Sequence, residues 1–207
     1  MMSEGLLINR LIVNYGVSDL HYQLNVEPGE CLAIQGESGV GKTTLLYVIA
    51  GFQAACQGEV LWQGRDILML QADQRPVSML FQEYNLFEHL TVWQNLILGF
   101  HDSVPEQALR QAAEQLLVAE QLNKLPGELS GGQRQRIGLI RTLLRPEPLI
   151  LLDEPFAELD AKTRQLAAQW VREVALKENK TLLLVTHHQE DVEIVADRKW
   201  VLTGESF

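Results

Sequence analysis

The chain lacks a long hydrophobic run. Its most apolar stretches, "PLILL" at 148–152 and "TLLLV" at 181–185, fall far short of the ~20 residues that cross a bilayer. The start, "MMSEGLLINR", has no basic region followed by a long apolar stretch, so no secretory signal is expected and a cytosolic location is. Basic charge is also scarce. Lys and Arg number 17 against 27 Asp and Glu, a net charge of −10. Nucleic-acid phosphates select a basic field, so nucleic acid is not an expected partner. Cysteine is limited to Cys31 and Cys56, with no CxxC spacing and no nearby histidines. Both are expected as buried small apolar residues and not as a disulfide or metal pair. The chain has no repeats, low-complexity runs or long linkers. Any membrane role must come through a partner.

What remains is an ordinary globular composition, 46% hydrophobic over 207 residues, enough for one sizeable core or a domain with a small subdomain. "LLINRLIVNY" (6–15) and "HYQLNV" (21–26) carry strand patterns, and "CLAIQ" (31–35) is a short buried strand. A glycine loop and an apolar helix follow, with Gly51 as its stop. "GEVLWQG" (58–64) and "VSMLFQ" (77–82) read as further strands. From about 85 to 145 the pattern becomes helical. In "PEQALRQAAEQLLVAEQL" a helix is expected, with Ala108, Ala112, Leu116 and Ala119 on one face. Strands and helices then alternate through "LILLD", a helix at 162–178, "TLLLV", a helix at 188–196 and "KWVLT". That alternation predicts an α/β fold with a sheet parallel in its core. The helical stretch reads as a subdomain inserted between two strands.

"GESGVGKT" fits G-x-x-x-x-G-K-[ST] with Gly36, Gly41, Lys42 and Thr43. Glycines let the backbone curl round an anion, and the helix that starts there turns its positive end toward phosphate. Lys42 supplies charge for the β and γ phosphates, and the Thr43 hydroxyl is placed for Mg²⁺. "LILLDEP" is a buried strand ending in two carboxylates. Asp153 can hold Mg²⁺ through water, and Glu154 can orient or deprotonate an attacking water. "LSGGQRQR" (129–136) is a second glycine loop before a helix, without a lysine. Serine caps the helix start and the glycines allow close approach. Such a loop suits a phosphate already held by another surface.

With these motifs the sequence resembles the ABC-transporter ATPase family along nearly its whole length. In the family's order it carries an aromatic (Tyr15), Walker A (36–44), the Q-loop glutamine (Gln82), LSGGQ (129–133), Walker B (149–154), the D-loop Asp160 and the switch His187. The resemblance implies a P-loop NTPase core with a mainly parallel sheet, an N-terminal antiparallel β subdomain and an inserted α-helical subdomain. Residues 1–84 and 146–207 then form the core with its β subdomain, and about 85–145 the helical one. It implies ATP and Mg²⁺ as cofactors and ATP hydrolysis coupled to transport. Two subunits pair head to tail, so Ser130, Gly131, Gly132 and Gln133 act in the neighbour's site, with Asp160 at the dimer interface. Tyr15 stacks on adenine. Ser38, Gly39 and Thr44 join Gly36, Gly41, Lys42 and Thr43 around the nucleotide. Gln82 contacts Mg²⁺ and water, and connects to the membrane partner. His187 contacts the γ-phosphate and positions Glu154, while His188 is a solvated helix start.

The expected partners are a membrane permease, a second copy of the chain and a solute-binding protein, at the cytoplasmic face of a bacterial inner membrane. "EYNLFEHL" (83–90) is the expected docking stretch, with Phe87 and Leu90 as contacts. The region 75–96 and "LPGELSGGQRQR" resemble bacterial thiamine-importer ATPases, which implies thiamine or a related small solute as cargo. An exporter or lipid-handling system stays open. A soluble ABC ATPase is the lesser alternative, since such proteins usually carry two cassettes or a coiled-coil insertion and this chain has neither, and P-loop kinases have no use for LSGGQ. Three departures from the family stand out: Glu37 where many relatives have proline, "AELD" for the commoner "SALD", and an end soon after 203 where many import ATPases continue.

Overall fold

The computed structural model describes residues 5–15, 18–83, 86–100 and 103–203, the side chains of Tyr15 and Ser18 excepted. In chain order the elements are β1 (Leu6–Tyr15), β2 (Ser18–Val26), β3 (Cys31–Gln35), α1 (Lys42–Ala50), β4 (Gln57–Trp62), β5 (Arg65–Asp66) and β6 (Val77–Leu80). Then come α2 (Val92–Ile97), α3 (Glu106–Gln115), α4 (Gly131–Leu143), β7 (Leu149–Asp153), α5 (Ala161–Lys177), β8 (Thr181–Val185), α6 (Gln189–Val195) and β9 (Arg198–Val201), with three short 3-10 turns between elements.

Two sheets form. β2-β1-β4-β5 pair antiparallel. The other sheet is parallel throughout, in the order β6-β7-β8-β3-β9. Its central strands read as unbroken apolar runs because both faces are covered. Successive side chains point to opposite faces. Leu149, Leu151, Leu183 and Val185 therefore join a core with α1 and the antiparallel sheet. Ile150, Leu152, Leu182 and Leu184 join a second core with α2 to α5. The two cores clamp the parallel sheet, which fixes the ends of β3, β7 and β8 relative to one another. In such sheets ligands bind beyond the carboxyl ends of the strands.

Three expectations are corrected. The helix in 105–122 ends at Gln115. Leu117 takes φ 56, and the Val118 N–H returns to the Ala113 carbonyl at 2.8 Å, closing the helix without a glycine. Its buried side is Leu109, Ala112, Ala113 and Leu116, while Ala108 faces solvent. β6 stops at Leu80, so Gln82 lies beyond the strand and not at its end. Cys31 is buried, but Cys56 is exposed; it lies in the turn before β4, outside both cores.

Candidate functional site

The loop after β3 turns on glycine. Gly39 and Gly41 take φ 83 and 104, values that L side chains rarely adopt. At Gly41 there is also no room, since a Cβ would meet the Tyr22 hydroxyl at 2.5 Å and Leu20 Cδ1 at 2.8 Å. Tyr22, fully buried on β2, donates from its hydroxyl to the Gly41 carbonyl at 2.8 Å. Burial pushes its pKa well above the ordinary phenol range. Sequence reasoning missed this support, because a strand tyrosine carries no local mark of its distant partner.

α1 starts at Lys42 directly after Gly41, so its first N–H groups open into the loop. The Lys42 ammonium folds back and donates to the carbonyls of Gly36 (2.9 Å) and Glu37 (2.8 Å). Burial lowers its pKa, opposed by the carboxylates of Glu154 and Asp153. The Glu37 side chain is exposed, and Glu37 is not among the residues that line the cavity beside Lys42.

β7 delivers the acidic pair. Asp153 is 2% exposed and its Oδ2 has no hydrogen-bond partner. Burial raises its pKa, and a hydrogen bond with Thr43 lowers it. A buried carboxylate oxygen without a partner, beside a threonine hydroxyl, is a donor set that fits a hard divalent cation, which takes oxygen ligands. Glu154 takes φ 48, rare for a residue with a side chain. Its N–H donates to Val185 of β8 at 3.0 Å. Its Oε1 lies 3.1 Å from His187 Nε2, just past the end of β8. The loop holding His187 is fastened by the Thr186 hydroxyl, which donates to the buried Asp191 at 2.6 Å and accepts from the His188 N–H at 3.1 Å. His188 itself is the exposed residue before α6.

One cavity of about 280 Å³ gathers Ser38, Gly39, Gly41, Lys42, Thr43, Thr44, Gln82, Glu154 and His187, with Val185 as an unforeseen member. A cation, oriented amides and a carboxylate–histidine pair thus face one space. It can seat a polyphosphate and present a base to water beside it. Gly36 lies behind the loop, its carbonyl on Lys42, where a Cβ would meet the Leu202 carbonyl at 2.5 Å. The described residues lining the cavity do not include Ser130, Gly131, Gly132, Gln133 or Asp160. The Tyr15 side chain lies outside the described residues.

Ser130 instead caps α4. Its hydroxyl accepts from the Gln133 N–H at 3.3 Å, and its own N–H donates to Gln133 Oε1 at 2.9 Å. Asp160 caps α5, accepting from the Thr163 N–H at 3.1 Å.

A sequence model of the ABC transporter family matches residues 20–157. The chain belongs to the ABC transporter family. It is an ABC ATPase subunit, and it binds and hydrolyses ATP. It is 45% identical over 192 residues to "Thiamine import ATP-binding protein ThiQ" of Histophilus somni, covering 90% of each chain. It is 43% identical to the protein of that name from Photorhabdus laumondii, over 93% of this chain and 84% of that one. Among solved structures, the dimeric ATP-binding cassette MJ0796 superposes with a TM-score of 0.82 at 29% identity, covering 96% of this ABC ATPase and 94% of that chain. A bacterial Atm1-family ABC exporter with ATP bound superposes at 0.86 with 24% identity, over 98% of this chain and 38% of that one, a likeness of fold alone.

Proposed function

We propose that this ABC ATPase works as a head-to-tail pair in which the signature loop of each copy closes on ATP held by the other. The observation that carries the reading is the split between two glycine loops. Lys42, Glu154 and His187 share one cavity that Ser130–Gln133 do not line, while Ser130 is exposed at the start of its helix. Likeness to a cassette described as dimeric supports it. Gly36, Ser38, Gly39, Gly41, Lys42, Thr43 and Thr44 hold the phosphates, and Tyr15 stacks on the base. Thr43, Gln82 and Asp153 hold Mg²⁺, which supplies charge neutralisation at the transferred phosphoryl group. Glu154 takes the proton of the attacking water, positioned by His187. Asp160 faces the partner copy. ATP favours the closed pair, and its hydrolysis releases it, so nucleotide energy becomes motion.

The motion drives a permease at the cytoplasmic face of a bacterial membrane. Among the described residues no helix is long and apolar enough to cross one. Residues from about 85 to 145 act as the helical subdomain that meets the permease. Relatives described as thiamine import proteins point to import, with a solute-binding protein delivering thiamine or a related small solute.

Subunit mixing tests the composite site. Ser130→Arg blocks the signature loop, and Lys42→Ala cripples the phosphate loop. In a mixed pair, the intact phosphate loop of the Ser130→Arg copy meets the intact signature of the other copy. One whole site results, and hydrolysis above either parent is expected. If Ser130 serves its own chain, no whole site exists and mixing restores nothing. Differently tagged copies establish that mixed pairs form.

A further inference from the structure

Gln135 sits two residues beyond the signature glutamine, on α4, with 0% exposure. A buried amide is costly unless its donor and acceptor are both used. Its Nε2 donates to the Glu154 carbonyl at 3.2 Å, and its Oε1 accepts from the Glu158 N–H at 2.9 Å. One side chain thus grips the segment after β7 at two points. Glu154 has left-handed backbone, φ 48, which persists only where the surroundings hold it. Val185 holds its N–H and Gln135 its carbonyl. The glycines at the start of α4 meet the same segment. A Cβ at Gly131 would lie 1.9 Å from Glu158 Oε2, and one at Gly132 would lie 3.1 Å from the Glu158 carbonyl and 3.2 Å from Leu159 Cδ2. Gly132 therefore admits close packing within its own chain, whereas at Gly131 the near atom is the flexible end of the exposed Glu158 side chain.

We propose that Gln135 is a positioning residue that locks α4 to the backbone of Glu154, so that seating the signature loop on the partner copy's phosphate is felt by Glu154 in this chain's own cavity. The cross-site part rests on the head-to-tail reading above. α4 moves as a rod. A shift at Ser130 is delivered at Gln135, and Gln135 resets the peptide from which the Glu154 side chain departs. The two ATP sites of a pair are then coupled, and the coupling is reciprocal for binding.

The test uses the full chain. Gln135→Met keeps the shape and removes both hydrogen bonds. Gln135→Glu replaces both when its carboxyl is neutral and loses the donor when it ionises. Leu139→Ala, on the same helix and buried, serves as a stability-matched control. Affinity for a fluorescent ATP analogue, kcat and the Hill coefficient for ATP are measured. For Gln135→Met, affinity stays within about twofold while kcat falls about tenfold, as for a lost hydrogen bond that mattered in the transition state. Its Hill coefficient falls toward 1. Gln135→Glu recovers turnover relative to Gln135→Met at low pH and loses it as pH rises. Leu139→Ala lowers the melting temperature but keeps kcat per folded molecule. Wild-type kcat in Gln135→Met, or a loss no larger than that of an equally destabilised Leu139→Ala, overturns the proposal. So does a Gln135→Glu variant no better than Gln135→Met at every pH. A wild-type Hill coefficient of 1 overturns the cross-site part. If mixed subunits fail to complement while Gln135→Met still loses kcat at unchanged affinity, the head-to-tail reading falls and the positioning of Glu154 stands. If mixing complements and Gln135→Met behaves as wild type, the reverse holds.

Discussion

Arg75 is 7% exposed, and among the described residues its guanidinium hydrogen-bonds to four main-chain oxygens. Nη1 donates to the carbonyls of Val48 (2.6 Å) and Ile49 (2.9 Å), Nε to Leu70 (3.0 Å) and Nη2 to Leu68 (3.0 Å). Val48 and Ile49 belong to the last turn of α1, where the Val48 carbonyl also accepts from the C-cap Gly51 N–H at 3.2 Å and Arg75 supplies further donors. The cation also meets the negative end of the helix dipole. It therefore pins the far end of the helix that carries Lys42. Gly51, at φ 91, passes close beneath it, where a Cβ would meet Arg75 Nε at 2.8 Å. Arg75→Met preserves the apolar stem and removes every donor. Each charge-assisted bond is worth about 1.5–3 kcal/mol net. Relaxation and entering water recover part of four such losses, so an overall cost of about 3–5 kcal/mol is expected, the range for a broken buried polar network. At about 2–4 °C per kcal/mol for a domain of this size, the melting temperature falls by about 6–20 °C. Urea unfolding gives the free energy directly, with the m value unchanged. Arg75→Lys recovers only part of the loss, because an ammonium cannot reach four carbonyls set around a planar fork. A cost below about 1 kcal/mol for Arg75→Met refutes the reasoning, since exposed positions change stability by about that much or less.

Glu154→Gln removes the proposed base and a charge at constant shape. ATP binding is expected to persist while hydrolysis nearly stops, read by nucleotide affinity against single-turnover rate; near-normal turnover takes Glu154 out of the base role. Asp197 accepts from Arg172 Nη1 and from the Cys31 N–H, each at 2.9 Å, and the Arg172 hydrogen bond holds its pKa below the ordinary carboxylate range. A depressed carboxylate stabilises the fold above its unfolded pKa, near 4, and loses that contribution as pH falls through the folded value. Asp197→Asn therefore melts below wild type at pH 7, and the gap closes as pH drops below about 4; a gap independent of pH refutes the assignment. Phe87 is 45% exposed and Leu90 half-buried. Phe87→Glu is expected to weaken assembly with the permease at unchanged ATP affinity, measured by co-purification, and intact assembly moves the docking surface elsewhere.

The sequence by itself determined the local devices. A phosphate loop is a run of backbone conformations that glycines permit. An apolar run ending in two carboxylates is a buried strand with a wet end. Serine before a helix caps its start. Each is written within a few neighbouring residues, so Gly36–Thr44, Asp153–Glu154 and Ser130–Gln133 could all be found by reading. Only the tertiary structure decided which side chains meet across long stretches of chain. The order β6-β7-β8-β3-β9 sets the end of β8 between β7 and the strand before the phosphate loop, and so brings His187 to Glu154. Tyr22 under Gly41, Arg75 on the last turn of α1 and Gln135 on Glu154 depend on that packing. Nothing near Tyr22 or Arg75 in sequence marks them, and the run 129–136 does not reveal that Gln135 reaches Glu154, because a hydrogen bond between distant segments is set by how the two cores close on the sheet. The same reason explains Cys56, apolar by type but outside both cores. It also explains α3, where helical periodicity runs on past Gln115 but the chain turns at Leu117 to bury Leu116 and Val118.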